Sequence, residues 1–308
     1  MAKRKRIKLL TPLALFFIVV IISAVLWIAE NFELKFGDNR AINAISINSI
    51  FGIFNVTNTN NANNAFNSTL EIHFLNVSQG DSIFFRTGDY TMLVDCGTSN
   101  AGDKIIGYLT NLSVWKLDYL IITHTDFDHI GGCAEILQKF YVKNVIMDGQ
   151  KRNNAVYNKT IAYLNNKTLI IPKKYEIYQL NNARMKILHA NTGSEQPNQN
   201  SIVFMLYFGD FKLLMDADCD GECERSLLSE NIDADVLKVA HHGSKFASST
   251  EFLNRVTPTL AIIEVGENNY GHPDDGTLTR LRIIGAEILR TDLNGTIILK
   301  TNGSGYYK

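Results

Sequence analysis

The sequence predicts an α/β domain in which two β-sheets pack face to face and helices cover their outer sides. Beyond residue 70, short apolar runs broken by Gly, Asp and Asn alternate with helical patterns. A succession of strands with helices between them occurs twice, which indicates two sheets with helices outside. The chain of 308 residues, 45% hydrophobic and 20% charged, is long enough for one such domain of about 200 to 250 residues with appendages.

The predicted elements follow one another without a short-period repeat. In the first half of the domain, strands are predicted in LEIHFLNV, DSIFFRT, YTMLVDCG, DYLIIT and VKNVIMDG, and helices over residues 103–112, 134–140 and 156–165. In the second half, strands are predicted in MKILHA, SIVFMLYFG, FKLLMDA, VLKVAHHG, LAIIEVG, ILRT and GTIILKT. Helices are predicted over residues 223–229, from residue 250, and over residues 276–285.

An uncharged apolar run over residues 9–29 predicts a transmembrane anchor. Its 21 residues would extend over about 31 Å as a helix, which matches the apolar thickness of a bilayer. Five Lys and Arg residues precede the run, so residues 1–8 are expected to be cytoplasmic and the rest of the chain extracytoplasmic. A cleaved signal peptide is the alternative, although the run is longer than the usual apolar segment of 7–15 residues.

A low-complexity stretch separates the apolar run from the domain. Residues 41–69 contain nine asparagines and no charged residue, which is typical of a flexible linker. We therefore predict a cytoplasmic tail over residues 1–8, an anchor over 9–29, a linker over 30–69 and the folded domain over 70–308, in a single-pass protein of the cell membrane.

The net charge argues against one class of function, and the cysteine content argues against one class of scaffold. Outside the tail, 25 Lys and Arg residues stand against 31 Asp and Glu residues, a net charge of −6. This acidic balance gives no support to broad electrostatic capture of nucleic acid. Four cysteines are too few for a disulfide-dominated scaffold. Cys219 and Cys223 could pair in an oxidising compartment, but buried free thiols are the expectation.

The stretch ITHTDFDHIGG carries four polar side chains with metal-ligating chemistry directly after a predicted strand. Imidazole nitrogen and carboxylate oxygen together suit Zn²⁺ or Mn²⁺, whereas a capped polar loop is the structural alternative. Three other predicted strands also end in Asp or His, which indicates a site built at one edge of the sheets. The residues concerned are His124, Asp126, Asp128 and His129, with Asp95, Asp216, Asp218, His241 and His242 at the other strand ends.

With FLNVSQGDSIFF and MLVDCG before this stretch, and DVLKVAHHGSKFASS and NNYGHP after it, the sequence resembles the metallo-β-lactamase superfamily over about residues 70–301. More narrowly, it is similar to the extracytoplasmic domain of ComEC-type DNA-uptake proteins and their stand-alone relatives. The resemblance implies an αββα sandwich of two mixed β-sheets flanked by helices, here behind one N-terminal transmembrane helix. It also implies two divalent metal ions, Zn²⁺ in the first place and Mn²⁺ as the alternative.

The resemblance divides the candidate ligands between two metals. His124 and Asp126 would bind the first metal, with Asp126 where the superfamily usually has His, as in the ComEC-like branch. The second metal would be bound by Asp128, His129 and one residue of the His241–His242 pair, with His242 preferred, and Asp218 would bridge the two. The superfamily's third-motif His has no clear counterpart, and His189 and Asn200 are the candidates. Asp95 would orient a ligand, and His73 is expected to be structural.

The resemblance implies a membrane-anchored, metal-dependent hydrolase of phosphodiesters, with DNA as the first substrate guess and a separate DNA-uptake channel as a partner. Asp128 or Asp218 would accept a proton from water, and His241 would contact substrate. His272 would act as a general acid or phosphate contact, or as a structural residue. The loop after the histidine pair would bind an anionic substrate through Ser244, Lys245, Ser248 and Ser249. The alternatives are hydrolysis of a lactone, thioester or β-lactam, and a catalytically degenerate binding module.

Overall fold

The computed structural model describes residues 69–164, 167–190 and 192–308, which fall within one compact unit. The predicted tail over residues 1–8, the anchor over 9–29 and the linker over 30–69, apart from Thr69, lie outside the described residues. Within the described ranges, no helix is both long enough and apolar enough to span a membrane.

Strands and helices alternate along the described chain. In chain order the strands are β1 (Leu70–Phe74), β2 (Ile83–Thr87), β3 (Tyr90–Val94), β4 (Lys116–Ile122), β5 (Tyr141–Met147), β6 (Thr168–Ile170), β7 (Ile177–Leu180), β8 (Ala183–His189), β9 (Val203–Phe208), β10 (Phe211–Met215), β11 (Val236–Lys238), β12 (Leu260–Ile263), β13 (Glu287–Arg290), β14 (Ile297–Thr301) and β15 (Tyr306–Tyr307). The helices are α1 (Gly102–Asn111), α2 (Phe127–Ile130), α3 (Cys133–Lys139), α4 (Ala155–Ala162), α5 (Glu222–Leu227), α6 (Thr250–Val256), α7 (Asp275–Ile283) and α8 (Thr291–Asn294). Two 3-10 turns, Pro197–Asn200 and Ala240–Gly243, precede β9 and follow β11.

The strands form two mixed sheets, as the sequence predicts. The first has the order β15-β14-β1-β2-β3-β4-β5-β6 and the second the order β13-β12-β11-β10-β9-β8-β7. In each sheet, one part is antiparallel and the other parallel: β3 to β6 run parallel in the first sheet, and β10 to β13 in the second. The carboxyl ends of parallel strands share one edge of a sheet, so the loops that follow them can assemble one site.

Three apolar layers hold the sandwich together, one between the sheets and one under each set of helices. Strand β2 shows how one segment serves two layers, because Ile83 and Phe85 pack between the sheets whereas Phe84 packs under the helices. Such strands are buried on both faces and therefore read as continuous apolar runs. The layer under α5, α6 and α7 includes Leu227 and Leu253.

All of the predicted strands and helices are present, although several are shorter than predicted. The strand in YTMLVDCG ends at Val94, because Asp95 adopts a left-handed backbone conformation with φ 57°. The strand in VLKVAHHG ends at Lys238, and the chain then turns through the 3-10 segment Ala240–Gly243, in which both histidines have positive φ. The prediction missed β6 and β7, whose partly exposed residues lack a clear alternation, and also the two-residue strand β15 and the four-residue helices α2 and α8.

The four cysteines form two disulfide bonds, so the expectation of buried free thiols is wrong. Cys219 pairs with Cys223 across a Cα–Cα distance of 5.3 Å, and Cys96 pairs with Cys133 across 5.2 Å. The first pair has the short spacing that the sequence suggested. The second joins the loop after β3 to the start of α3 across 37 residues, and no local spacing indicates it.

Candidate metal centre

The candidate ligands come together at the edge where the parallel strands end. His124 follows β4 in the first sheet, Asp218 follows β10 in the second, and His242 follows β11. Because β3 and β4 run parallel, as do β10 to β12, these loops open on the same side of the sandwich. The four strand ends that the sequence singled out therefore converge, as predicted.

The ITHTDFDHIGG loop is fixed by backbone contacts with its neighbours. The Cys96 N–H donates to the carbonyl of His129 at 2.8 Å, and the Cys96–Cys133 disulfide closes the same corner. Gly132 packs so tightly there that a Cβ would lie 2.6 Å from the carbonyl oxygen of Cys96. A Cβ on Gly80 would collide with the carbonyl oxygen of Asp128. The short helix α2 thus presents Asp128 and His129 from a rigid frame.

Asp218 lies at the centre of four imidazoles, each of which directs Nε2 towards its carboxylate. The Nε2 atoms of His129, His242, His124 and His241 lie 3.3, 3.7, 3.8 and 3.8 Å from the nearer carboxylate oxygen. Asp218 is 3% exposed, so this carboxylate is enclosed by nitrogen atoms. The arrangement matches the bridging position that the sequence resemblance implies for Asp218.

The buried polar atoms of this cluster fit a divalent metal. Asp218 Oδ1 and the Nε2 atoms of His124, His129 and His242 are buried without a hydrogen-bond partner among the described residues. The Nδ1 atoms of these histidines are instead engaged, by the Thr123 hydroxyl at 3.1 Å, the Asp95 carboxylate at 2.8 Å and the Glu264 carbonyl at 2.8 Å, respectively. A histidine whose Nδ1–H is donated outward presents the Nε2 lone pair inward, as metal-binding histidines do.

Without a metal, the pKa values divide the groups of this centre into neutral and charged ones. Burial, and next the nearby His129, lower the pKa of His124 to about 3. Burial also opposes a charge on His242, but carboxylates, Asp218 foremost, raise its pKa to about 10. Although burial raises the pKa of Asp218, His129 and His242 hold it well below its ordinary value. A divalent cation would supply the charge that these imidazoles otherwise take from protons.

The histidine pair adopts an uncommon backbone conformation. His241 and His242 have φ values of 51° and 52°, in the left-handed region that few residues other than Gly adopt, although Asn, Asp and His adopt it more often than most. In this conformation, Nδ1 of His242 forms a hydrogen bond with the Glu264 carbonyl. The side chain of His241 is 24% exposed. Consecutive residues with positive φ are typical of functional sites, where the surrounding structure sustains the strain.

A buried ion pair lies behind the centre, and its two residues are not among those that the sequence predicts for the site. The Lys238 ammonium pairs with the Asp81 carboxylate, whose other oxygen lies 3.3 Å from Nδ1 of His242. Lys238 and Asp81 are 0% and 1% exposed, and the carboxylate raises the pKa of Lys238 against the effect of burial. A charged residue inside an apolar strand, as in VLKV, is the sequence feature that indicates such a pair.

Asp126 and Asp128 lie at the rim of the centre. The side chain of Asp126 is 41% exposed and its carboxylate lies 3.8 Å from Nε2 of His124. The carboxylate of Asp128 lies 3.1 Å from Nε2 of His242. Asp95 contacts the Nδ1 of His129 and also accepts from the Thr123 hydroxyl at 2.6 Å, which is the arrangement expected of a residue that orients ligands.

The structure brings neither candidate for the third motif to the cluster. Both oxygen and nitrogen of the Asn200 amide bond to the loop before it, with Ser194 N–H donating to the oxygen at 3.1 Å. His189 Nδ1 lies 3.0 Å from the carbonyl of Ser201, under the Cys219–Cys223 disulfide. The assignment of Asn200 as a ligand is therefore corrected: its polar atoms hold the Pro197–Asn200 turn.

His73, Ser248 and Ser249 make contacts that stabilise the fold. His73 contacts the Tyr108 hydroxyl at 2.7 Å, in keeping with its expected structural role. Ser248 is buried and its N–H donates to Glu224, and the hydroxyl of Ser249 caps helix α6. The substrate-binding role predicted for Ser248 is corrected, because its backbone and side chain face the interior.

The remaining predicted residues line two adjoining cavities over the centre. The inner cavity, of about 170 Å³, is lined by Gln79, Asp126, Asp128, Asp218, His241, His242, Tyr270 and His272. The outer cavity, of about 460 Å³, is lined by His241, Ser244, Lys245, Phe246, Tyr270, Gly271, His272 and Asp274. Ser244, Lys245 and His272 thus lie beside the candidate ligands, as predicted.

Residues 75–155 match the family model described as the metallo-beta-lactamase superfamily. The chain is 30% identical over 251 residues to ComE operon protein 3 of Bacillus subtilis, over 74% of this chain and 32% of that protein. It is 29% identical over 228 residues to Competence protein ComA of Neisseria gonorrhoeae, over 72% and 31% of the two chains. It is 27% identical over 235 residues to Recombination protein 2 of Haemophilus influenzae, over 74% of this chain and 28% of that protein. The chain therefore spans about a third of the length of these curated relatives.

Solved structures share the fold at low sequence identity. The metallo-beta-lactamase fold protein YhfI from Bacillus subtilis aligns with TM-score 0.53 and 13% identity, over 76% of this chain and 100% of YhfI. CmlA, a diiron beta-hydroxylase from Streptomyces venezuelae, aligns with TM-score 0.52 and 14% identity, over 76% of this chain and 54% of CmlA. The chain thus carries a domain of the metallo-β-lactamase superfamily, a fold that binds divalent metal ions, and its homologues are ComEC-like competence proteins.

Proposed function

We propose that this domain is a metal-dependent phosphodiesterase that acts on DNA. The observation that carries the proposal is the set of unpartnered Nε2 atoms directed at the buried carboxylate of Asp218. The names of the relatives, which concern competence and recombination, favour DNA over lactone, thioester or β-lactam substrates. Lys245, His241 and His272 line the adjoining cavities and suit an anionic substrate.

The proposed centre binds two divalent ions, Zn²⁺ in the first place and Mn²⁺ as the alternative. The residues that would hold them are His124, Asp126, Asp128, His129, Asp218 and His242. When bound, two such ions lower the pKa of a water molecule and stabilise negative charge on phosphoryl oxygens. The protein contributes the fixed orientation of the imidazoles, which Asp95, Thr123 and the Glu264 carbonyl maintain.

The chain's own residues supply proton acceptors and donors around the phosphate. The nearby imidazoles His242 and His129 outweigh burial and keep the pKa of Asp128 below its ordinary value, so this carboxylate is ionised and able to accept a proton. His241 and His272 line the cavity on the other side, with ring centroids 5.4 Å apart. We assign them to hydrogen bonding with the phosphate and the leaving oxygen.

We also propose that the domain lies outside the cell membrane, held by residues 9–29, with a separate DNA-uptake channel as its partner. Two disulfide bonds support this location, because disulfides persist in oxidising compartments. The printed name of one relative, a competence protein, supports DNA uptake as the process that this partner would serve.

Side-by-side hydrolysis assays test the proposed function. We expect the chain loaded with Zn²⁺ or Mn²⁺ to hydrolyse bis-(p-nitrophenyl) phosphate and DNA but not the β-lactam nitrocefin. Asp128→Ala should abolish the activity, whereas Asp89→Ala, at an exposed turn, should leave it unchanged. Hydrolysis of nitrocefin alone would contradict the proposal. A fully metal-loaded protein that hydrolyses none of the three would favour the binding module.

A further inference from the structure

The outer cavity adjoins the inner cavity at the candidate metal centre. His241, Tyr270 and His272 line both. A phosphate held at the centre therefore has its neighbouring groups directed into the outer cavity, whose volume of about 460 Å³ can accommodate a nucleoside. The chemistry of the outer cavity decides which phosphodiesters fit.

Two aromatic side chains of the outer cavity are largely exposed. Tyr270 is 76% exposed and Phe246 is 67% exposed. The ring of Tyr270 stacks on His272, with centroids 5.9 Å apart and planes at 27°, so its other face is open. Exposed aromatic rings beside a cation are the elements with which proteins bind single-stranded nucleic acid, because every base has a face that can stack.

Both aromatic residues belong to turns that hydrogen bonds hold in place. The Asn268 side chain accepts from the backbone N–H groups of Tyr270 and His272, and donates to the carbonyls of Gly266 and His272. Phe246 lies in a loop whose carbonyls at Ala247 and Ser248 accept from Arg280. The backbone positions are therefore fixed before substrate arrives, which reduces the entropy cost of binding.

The available charge in the outer cavity is positive. The Lys245 ammonium lies 5.0 Å from the centroid of the Phe246 ring. The carboxylate of Asp274 accepts from the N–H groups of Gly276 and Thr277, so it caps helix α7. The aromatic rings can stack on a nucleobase, and the nearby ammonium can contact the phosphate beside that base.

We propose that the outer cavity is a nucleoside subsite, in which the base next to the scissile phosphate stacks on Tyr270 and Phe246 while Lys245 contacts the following phosphate. This inference rests on the proposed function and specifies its substrate as single-stranded DNA, because pairing and stacking in a duplex conceal the faces of the bases. Stacking does not distinguish the bases strongly, so the subsite is tolerant of sequence.

Two esters that release the same leaving group test the subsite. Thymidine 5′-(p-nitrophenyl phosphate) carries a nucleoside, and methyl p-nitrophenyl phosphate does not. In both, water forms the new P–O bond and p-nitrophenolate leaves. We expect the metal-loaded full chain to prefer the nucleoside ester in kcat/KM. Tyr270→Ala should lower this preference by about 10-fold, since one stacked base contributes at this level.

Matched variants separate stacking from general damage. Tyr270→Phe should keep the preference, and Tyr307→Ala, an exposed tyrosine on β15, should leave both esters unaffected. Equal losses for the two esters in Tyr270→Ala would overturn the subsite. Oligothymidylate should be cleaved faster alone than when paired with oligoadenylate, and faster cleavage of the duplex would also overturn it.

The same assays distinguish this inference from the proposed function. If the wild-type protein hydrolyses the methyl ester but shows no preference for the nucleoside ester, the subsite is wrong and the phosphodiesterase stands. If the metal-loaded protein hydrolyses neither ester nor DNA, the proposed function fails, and the subsite fails with it.

Discussion

The two halves of the proposed metal centre differ in how firmly the protein holds their side chains. On one side, His129 is bound by Asp95 and His242 by the Glu264 carbonyl, and the carboxylate of Asp128 lies 3.1 Å from His242. On the other side, His124 is held through a neighbouring hydroxyl, its partner Asp126 is 41% exposed, and neither His189 nor Asn200 reaches the cluster. In the proposed two-metal centre, His129, His242 and Asp128 therefore form the firm half and His124 and Asp126 the weaker half. The firm half should bind its metal more tightly.

The largest effect is expected where the halves meet. Asp218→Asn removes charge from the carboxylate that faces four imidazoles, so both metals should be affected. Since residues behind a metal ligand change affinity by about 10- to 100-fold, loss at this position should lower activity by more than about 100-fold. Hydrolysis of bis-(p-nitrophenyl) phosphate and metal content would be measured together, with the exposed Asp89→Asn as control. Retention of both metals and full activity would contradict the bridging role.

A substitution of Asp95 should have the next largest effect, and it should weaken metal binding in one half more than in the other. Its carboxylate accepts directly from His129 but reaches His124 only through Thr123, so Asp95→Ala should weaken the firm half more. We expect the affinity of the tighter metal to fall by about 10- to 100-fold. Competition with a chromogenic chelator measures it, with Asp210→Ala on an exposed turn as the matched variant. An unchanged affinity would show that the carboxylate does not orient the ligand.

The disulfide beside the firm half should contribute to stability. Replacing Cys96 and Cys133 with Ala opens a loop of 37 residues, which should lower the free energy of unfolding by about 2–4 kcal/mol. The Cys219→Ala, Cys223→Ala variant opens a much shorter loop and should lose less. Denaturant titration of both variants would decide, and an equal or reversed order would contradict the assignment of the longer bond.

Asp148, a buried residue directly after β5 whose pKa the charge of Asp126 also raises, should produce the smallest effect. Burial raises the pKa of its carboxyl from the ordinary 3.8 to about 6, against the effects of the Gln150 N–H and Arg152. The folded protein therefore binds the proton more tightly than the unfolded chain, and loses stability as pH rises from about 4 to 6. In chelated protein, Asp148→Asn should be more stable than wild type by about 1–3 kcal/mol at pH 7 and equal to it near pH 4. A difference independent of pH, in thermal unfolding followed at both values, would exclude this titration.

The sequence is sufficient to predict features that depend on residues close together in the chain. ITHTDFDHIGG and the Asp and His residues after other strands could be recognised because each lies next to an apolar run. Asn200 was misassigned because its amide bonds to its own loop, which no sequence pattern reveals. The Asp81–Lys238 pair and the Cys96–Cys133 bond were missed because their partners meet only in the folded domain. The anchor over residues 9–29 stays a prediction.

Stepwise removal of metal tests the unequal centre most directly. The protein would be loaded with Zn²⁺, dialysed against increasing concentrations of a mild chelator, and analysed for metal content. We expect the content to fall from about two ions to a plateau of about one, because His129, His242 and Asp128 form the better-held set. The plateau should disappear in His242→Ala but persist in His124→Ala. Loss of both ions together, with no plateau in the wild-type protein, would contradict two unequal halves.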